Sequence, residues 1–102
     1  MSEQVVHNVA DPEQVKARGD RERERLKQEA ADLKWVLSDR RGRRFYRRLV
    51  EHTGVFQSSF TGNSETFFRE GRRDVGLKLM ADLTRNAPEA YSVMMQEKAD
   101  DE

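Results

Sequence analysis

From Leu26 onward the large apolar residues recur at the spacing of a helix and nowhere at the spacing of a strand. Leu26, Ala30, Leu33 and Leu37 fall at i, i+4, i+7 and i+11, which lines them along one side of a 3.6-residue period. Phe45, Leu49 and His52 repeat the pattern at i, i+4 and i+7. Phe68, Val75, Leu79 and Leu83 form a third stripe, with Gly71 in its missing place and Phe67 and Met80 at its border. No alternating apolar–polar run of strand length is present, and no hairpin dipeptide joins two such runs. The spacing predicts an all-α chain: a small bundle of three helices preceded by a long, charged N-terminal helix.

Capping residues set the expected boundaries. Asp11-Pro12-Glu13-Gln14 reads as a helix start, with Asp11 as cap and Pro12 in the first helical position. The long helix is expected to run to about Leu37, with Trp35 and Val36 widening its stripe. Gly19 is expected to fray or bend its first turns. Ser38 can cap the second helix, with Asp39 in its first turn. Thr53-Gly54-Val55 has the form of a helix stop, Gly54 taking the left-handed conformation and Val55 folding back. The loop from Phe56 to Gly62 carries Phe56 and Phe60, and two aromatic rings in a polar loop are expected to pack on the domain. Asn63 or Ser64 caps the third helix. Asn86-Ala87-Pro88-Glu89 closes it and begins the fourth, in which Tyr91, Met94 and Met95 face inward. The expected organisation is a flexible tail, or a strand that orders on a partner, at 1–10; a long charged helix at 11–37 whose second half packs on the domain; a compact helical domain at 38–98; and a solvated acidic tail at 99–102.

The core available to such a domain is small. Leu, Ile, Val and Phe number only 21 among 102 residues, while 37% of the chain is charged. That sits near the border with disorder. A module of this size buries only roughly 60% of its unfolded surface, so it is expected to be marginal without its arm or a partner. No cysteine is present, which excludes a disulfide framework and thiolate metal sites. No stretch approaches the ~20 apolar residues of a membrane span, and the first residues lack a basic segment followed by an apolar one. The expectation is a soluble protein made in the cytoplasm, with no membrane partner.

Charge carries more information by position than in total. The 19 basic and 19 acidic residues cancel, which excludes bulk attraction to polyanions. By segment, residues 1–38 hold 7 basic and 8 acidic groups, net −1, and residues 39–50 hold six Arg against Asp39, net +5. Residues 51–74 hold 3 basic and 4 acidic groups, net −1, and residues 75–102 hold 3 and 6, net −3. Within the arm, Asp20–Arg23 and Glu22–Arg25 are at ion-pair spacing. The basic island is Arg40, Arg41, Arg43, Arg44, Arg47 and Arg48. Arginine makes planar, bidentate contacts with phosphate or carboxylate and stacks on aromatic rings. On a helix, Arg40, Arg44, Arg47 and Arg48 would share one side and leave Phe45 and Leu49 to the core. This face reads as a solvated surface neutralised by the chain's own acids, as a protein interface, or as a nucleic-acid contact, in that order of expectation.

Nothing points to catalysis, a cofactor or a metal. His7 and His52 have no ligand at helical metal spacing; His52 reads as a half-buried imidazole at a helix end. Ser58-Ser59 has no nearby acid–base relay, and Gly62-Asn63-Ser64 lacks the pattern of a phosphate loop. Gly71 and Gly76 lie within a helical stripe and are expected to let a neighbouring backbone approach.

An ordered series of features carries a resemblance. Leu33-Lys34-Trp35-Val36-Leu37 is followed by Gly42-Arg43-Arg44-Phe45 and by the stop Gly54-Val55-Phe56. Ser58, Phe60 and Asn63 come next, then Phe67-Phe68-Arg69-Glu70-Gly71-Arg72-Arg73, Val75-Gly76-Leu77 and Leu83. Pro88, Tyr91, Met94 and Met95 close the series. The segment from Asp32 to Glu97 thereby resembles a family of small proteins encoded among the virion-assembly genes of short-tailed bacteriophages. The resemblance implies a non-enzymatic particle protein, located in the virion and partnered by other virion proteins at the portal, in the head–tail region or among the internal contents. A homo-oligomer is compatible with it, with nucleic acid a secondary partner. The family offers no catalytic residue to carry over. The triplets Gly42-Arg43-Arg44 and Gly71-Arg72-Arg73 suggest a common device: each glycine admits a helix, while Arg43, Arg44, Arg72 and Arg73 bind carboxylates within the domain or across subunits.

Overall fold

The computed structural model describes residues 11–101, and the expected N-terminal tail at 1–10 lies outside them. All regular structure among the described residues is helical: α1 Pro12–Val36, α2 Arg40–His52, α3 Glu65–Asn86 and α4 Pro88–Asp101. The chain divides into two compact units, Met1–Ala31 and Asp32–Glu102.

The first unit contains the greater part of α1. Asp11 caps it by accepting a hydrogen bond from the Glu13 amide at 3.0 Å, and the helix runs through Gly19 without interruption. No residue of α1 is buried, and Leu26 is exposed. Its order rests on local interactions: Arg23 pairs with Asp20, and Arg25 pairs with both Glu22 and Glu29. These are wet pairs whose strength falls with salt.

The second unit holds the core, where α2, α3 and α4 each pack against the other two. Its buried apolar residues are Leu37, Tyr46, Val50, Val55, Leu83, Ala87 and Met94, and only Leu83 is completely enclosed. Leu33, Leu79, Met80, Ala90 and Tyr91 border them.

The caps are close to those read from the sequence, with two shifts. Asp39, not Ser38, caps α2, accepting from the Arg41 amide at 2.7 Å. The Ser38 hydroxyl instead donates back to the Trp35 carbonyl at 2.6 Å. At α3 the side chain of Asn63 accepts from the Glu65 amide at 2.9 Å, and Ser64 makes no side-chain cap. Gly54 has φ +74°, the left-handed value that glycine adopts without cost, and Val55 folds back into the core.

The faces differ from expectation by about one residue. On α2 the core takes Tyr46 and Val50, while Phe45 and Leu49 are exposed. Both pairs have i, i+4 spacing, so periodicity alone does not choose between them. The tertiary environment does: the Tyr46 hydroxyl donates to the Leu79 carbonyl at 2.7 Å, which satisfies its polar end inside the domain. Burial, together with the nearby Asp82 charge, pushes the Tyr46 phenol up to about 12. On α3 the core takes Gly76 and Leu83, whereas Phe68 and Val75 are exposed. A β-carbon on Gly76 would stand 2.0 Å from Thr53 Oγ1 and 2.8 Å from Val55 Cβ. The turn after α2 therefore lies directly on the glycine. Phe56, Phe60 and Trp35 are also exposed, contrary to the packed roles expected of them, and so are His52 and Met95.

Candidate interaction surface

The six arginines of α2 separate by helical geometry into two groups. Arg40, Arg43 and Arg47 lie at i, i+3 and i+7 and lean towards α4; Arg41, Arg44 and Arg48 lie on the outer side. The expected grouping of Arg40, Arg44, Arg47 and Arg48 on one side does not occur, because Arg40 and Arg47 find carboxylates on α4.

The inner group forms an ionic seam. Arg43 holds Glu97 in a bidentate contact, Nε to Oε1 at 2.9 Å and Nη2 to Oε2 at 2.8 Å. Its remaining Nη1 donates to the Leu37 carbonyl at 3.0 Å, in the turn before α2. One guanidinium thus ties the end of α1, the start of α2 and the last turns of α4. Both partners are well covered, with side chains only 16% and 15% exposed. The hydrogen bonds from Arg43 hold the Glu97 carboxyl below the usual carboxylate range, and the charges of Arg43, Arg40 and Arg47 act in the same direction against burial. Arg40 donates to Asp101 at 2.8 Å, and Arg47 lies 3.7 Å from the same carboxylate. Lys98 and Glu51 pair at 2.7 Å alongside. Asp101 therefore belongs to α4 and reaches this seam while staying exposed, and residues 99 and 100 of the acidic tail are exposed as well. The signal was present in the sequence as acids at i and i+4 near a helix end, facing arginines at i, i+3 and i+7. Nothing local in it said that the two helices would meet.

The outer group stays available. Arg41 pairs with Asp39 at 3.2 Å on the surface. Arg44 and Arg48 are exposed and have no ion-pair partner among the described residues. They flank Phe45 and Leu49, so the outer side of α2 alternates guanidinium with apolar surface.

The Gly-Arg-Arg triplets are not equivalent. A β-carbon on Gly42 would stand 1.8 Å from the Val36 carbonyl oxygen, so this glycine does admit a neighbour, the end of α1. Gly71 faces open space. Arg43 reaches a carboxylate, whereas Arg72 lies over the Phe68 ring at 5.6 Å and Arg73 has no acidic partner among the described residues. Gly76 is the glycine of α3 with the closest approach.

The exposed aromatic surface is extensive. All five phenylalanines of the chain are exposed, at 58% for Phe45, 61% for Phe56, 65% for Phe60, 81% for Phe67 and 66% for Phe68, and its one tryptophan, Trp35, at 78%. Scattered apolar residues on a surface are ordinary, but a small domain that exposes every phenylalanine and its tryptophan is not. Among the described residues no group of His, Cys, Asp or Glu is arranged to hold a metal ion, and no helix is long and apolar enough to cross a membrane.

A family model described as Bbp19-like phage protein matches residues 33–96. The chain belongs to this phage protein family. The match begins near the end of α1 and takes in α2, α3 and most of α4, so it covers the second unit and leaves out the charged arm. No curated protein and no solved structure gave a significant match.

Proposed function

We propose that the chain is a non-enzymatic structural or assembly protein of a short-tailed phage, acting through protein–protein contacts in the particle. Its place would be the portal, the head–tail region or the internal contents. One observation carries this reading: every phenylalanine and the tryptophan stand on the surface of a domain whose buried apolar residues are Leu37, Tyr46, Val50, Val55, Leu83, Ala87 and Met94. Surfaces of that composition are covered in use, because aromatic rings contribute most of their interaction energy when a partner removes them from water. Family membership supplies the phage context. Mass spectrometry of purified particles should detect the chain in virions or procapsids, and its absence from both would overturn the reading.

The outer side of α2 supports a second reading, a nucleic-acid contact by Arg41, Arg44 and Arg48 with Phe45 stacking on bases. Three of the six arginines are already neutralised by α4, so at most about three phosphates could be engaged and the salt slope should be shallow, roughly −2 to −3 in log K against log salt. Gel shifts over a salt series decide it: no binding at low salt ends this reading, since the phosphate contribution is largest there.

A further inference from the structure

The turn after α2 and the first half of α3 enclose a small cleft whose lining is polar and includes no acid. Gln57, Ser58 and Ser59 form its loop side, and Arg69 and Arg72 its helix side. From His52 to Ser64 the chain holds no Asp or Glu. Arg69 and Arg72, at i and i+3, lie on the side of α3 on which Gly76 meets the turn. Glu70 and Asp74 lie roughly 100–160° around the helix from these two arginines. The Arg72 guanidinium lies over the Phe68 ring at 5.6 Å. Its Nη2 stands 3.8 Å from the place of a Gly54 β-carbon, so it reaches the turn, and no carboxylate pairs with it among the described residues. Arg69 has one acidic neighbour, Glu65 at 3.5 Å, which is long for a charge-assisted hydrogen bond. On the loop side the Ser58 hydroxyl accepts from the Phe60 amide at 3.3 Å, which leaves its own proton to donate. The Ser59 hydroxyl and the Gln57 side-chain amide have no hydrogen-bond partner among the described residues.

We infer that this cleft binds a phosphate group, with Arg69 and Arg72 supplying charge and the loop hydroxyls and amide supplying further donors. The cleft gathers two guanidinium groups, two hydroxyls and a side-chain amide, and its one nearby carboxylate, Glu65, is not part of the lining. A carboxylate is planar and is satisfied by a single guanidinium fork, as Glu97 is by Arg43. A phosphate is tetrahedral, and its oxygens call for donors that converge from more than one direction. A helix on one side and a loop on the other supply them here. The outer arginines of α2 have no such loop facing them, so the cleft is distinct from that surface. The inference stands apart from the assembly reading, which rests on exposed aromatic rings. Inorganic phosphate, the 5′ end of a nucleic acid and a nucleic-acid backbone all present the same chemistry, and the experiment separates them.

The test is isothermal titration calorimetry on the full chain at low ionic strength, where screening is least. The probes are inorganic phosphate and a short oligothymidylate with and without a 5′-phosphate. Saturable binding is expected, and acetate at the same concentration should not compete. R69Q/R72Q should weaken binding by at least about tenfold, and S58A/S59A by about threefold. E65Q, which removes the neighbouring carboxylate, should tighten it. R44Q/R48Q should bind phosphate as the unmodified chain does. All these positions are on the surface, and far-UV circular dichroism should show unchanged helicity for each variant. Binding of both oligonucleotides through Arg69 and Arg72 assigns the site to a backbone phosphate, binding of the phosphorylated one alone to a 5′ end, and binding of inorganic phosphate alone to the free ion. Three results would each overturn the inference: no saturable binding of any probe, equal competition by acetate, or binding that folded R69Q/R72Q retains in full. Detection in particles is a separate measurement, so the failure of this site would leave the assembly reading standing.

Discussion

Alanine at Gly76 is expected to lower the melting temperature by roughly 10 °C, and alanine at Gly71 to raise it by about 4–8 °C. Both glycines lie inside α3, five residues apart, and both should gain about 1 kcal/mol of helix propensity from the change. They differ in what the new methyl group meets. At Gly71 it meets nothing within 4 Å, so the gain stands alone. At Gly76 it meets Thr53 Oγ1 at 2.0 Å, Val55 Cβ at 2.8 Å and Thr53 Cβ at 2.9 Å. Rotating the Thr53 side chain relieves only the first of these and forfeits its hydrogen bond to the Val50 carbonyl at 2.5 Å. The two β-carbons are fixed to the backbone of the turn after α2, so that turn must move as a body, carrying Val55 out of the core. Overpacking of this kind costs up to about 3 kcal/mol, which exceeds the propensity gain. Thermal denaturation followed at 222 nm measures both, and equal shifts of one sign would refute the distinction.

Loss of the Arg43–Glu97 pair should have a comparable effect. Arg43→Met leaves the Glu97 carboxylate largely covered, with Arg40 at 4.0 Å as its nearest remaining cation, and it strips the Leu37 carbonyl of its donor. Removing one partner of a fully buried pair costs 3–5 kcal/mol; here the rim is wet, and about 2 kcal/mol is expected. Glu97→Gln keeps the shape and part of the hydrogen bonding and should cost less. The pH dependence identifies the group. Glu97 titrates below its reference value of 4.5 in the folded state, chiefly because Arg43 hydrogen-bonds its charged form. The unfolded chain therefore takes up the proton first. The stabilisation is complete above about pH 4.5 and is lost as pH falls through the lowered folded value. Glu97→Gln should melt lower at neutral pH and show a flatter decline below pH 4.5 than the unmodified chain. Parallel curves for the two would exclude this role for Glu97.

The arginine-rich helix illustrates where reading the sequence stops. The concentration of six arginines over residues 39–50 against an acidic C-terminal segment is plain from position alone. Which arginines are internal is not, because the ladder of charges offers several helical faces of similar composition. Contact with α4 settles it: Glu97 and Asp101 draw Arg40, Arg43 and Arg47 inward, and Arg44 and Arg48 remain outside by subtraction. The same ambiguity affected the apolar residues. A large apolar residue at helical spacing is ordinarily core, yet in this chain Phe45 and Val75 each lost that place to the adjacent residue, Tyr46 through its hydroxyl bond to the Leu79 carbonyl and Gly76 through its lack of a side chain.

The sequence alone determined that the chain is helical, where its helices start and stop, and which segment resembles phage proteins. The helical class and the helix ends are local properties, set by period, caps and a left-handed glycine that act within a few residues of one another. Only the tertiary structure decided which side of each helix is buried, which charges are consumed and which aromatic rings are left outside. Those outcomes depend on contacts between residues 30 to 60 positions apart, such as Tyr46 with Leu79 and Arg43 with Glu97, and a helical stripe two or three residues wide does not encode them.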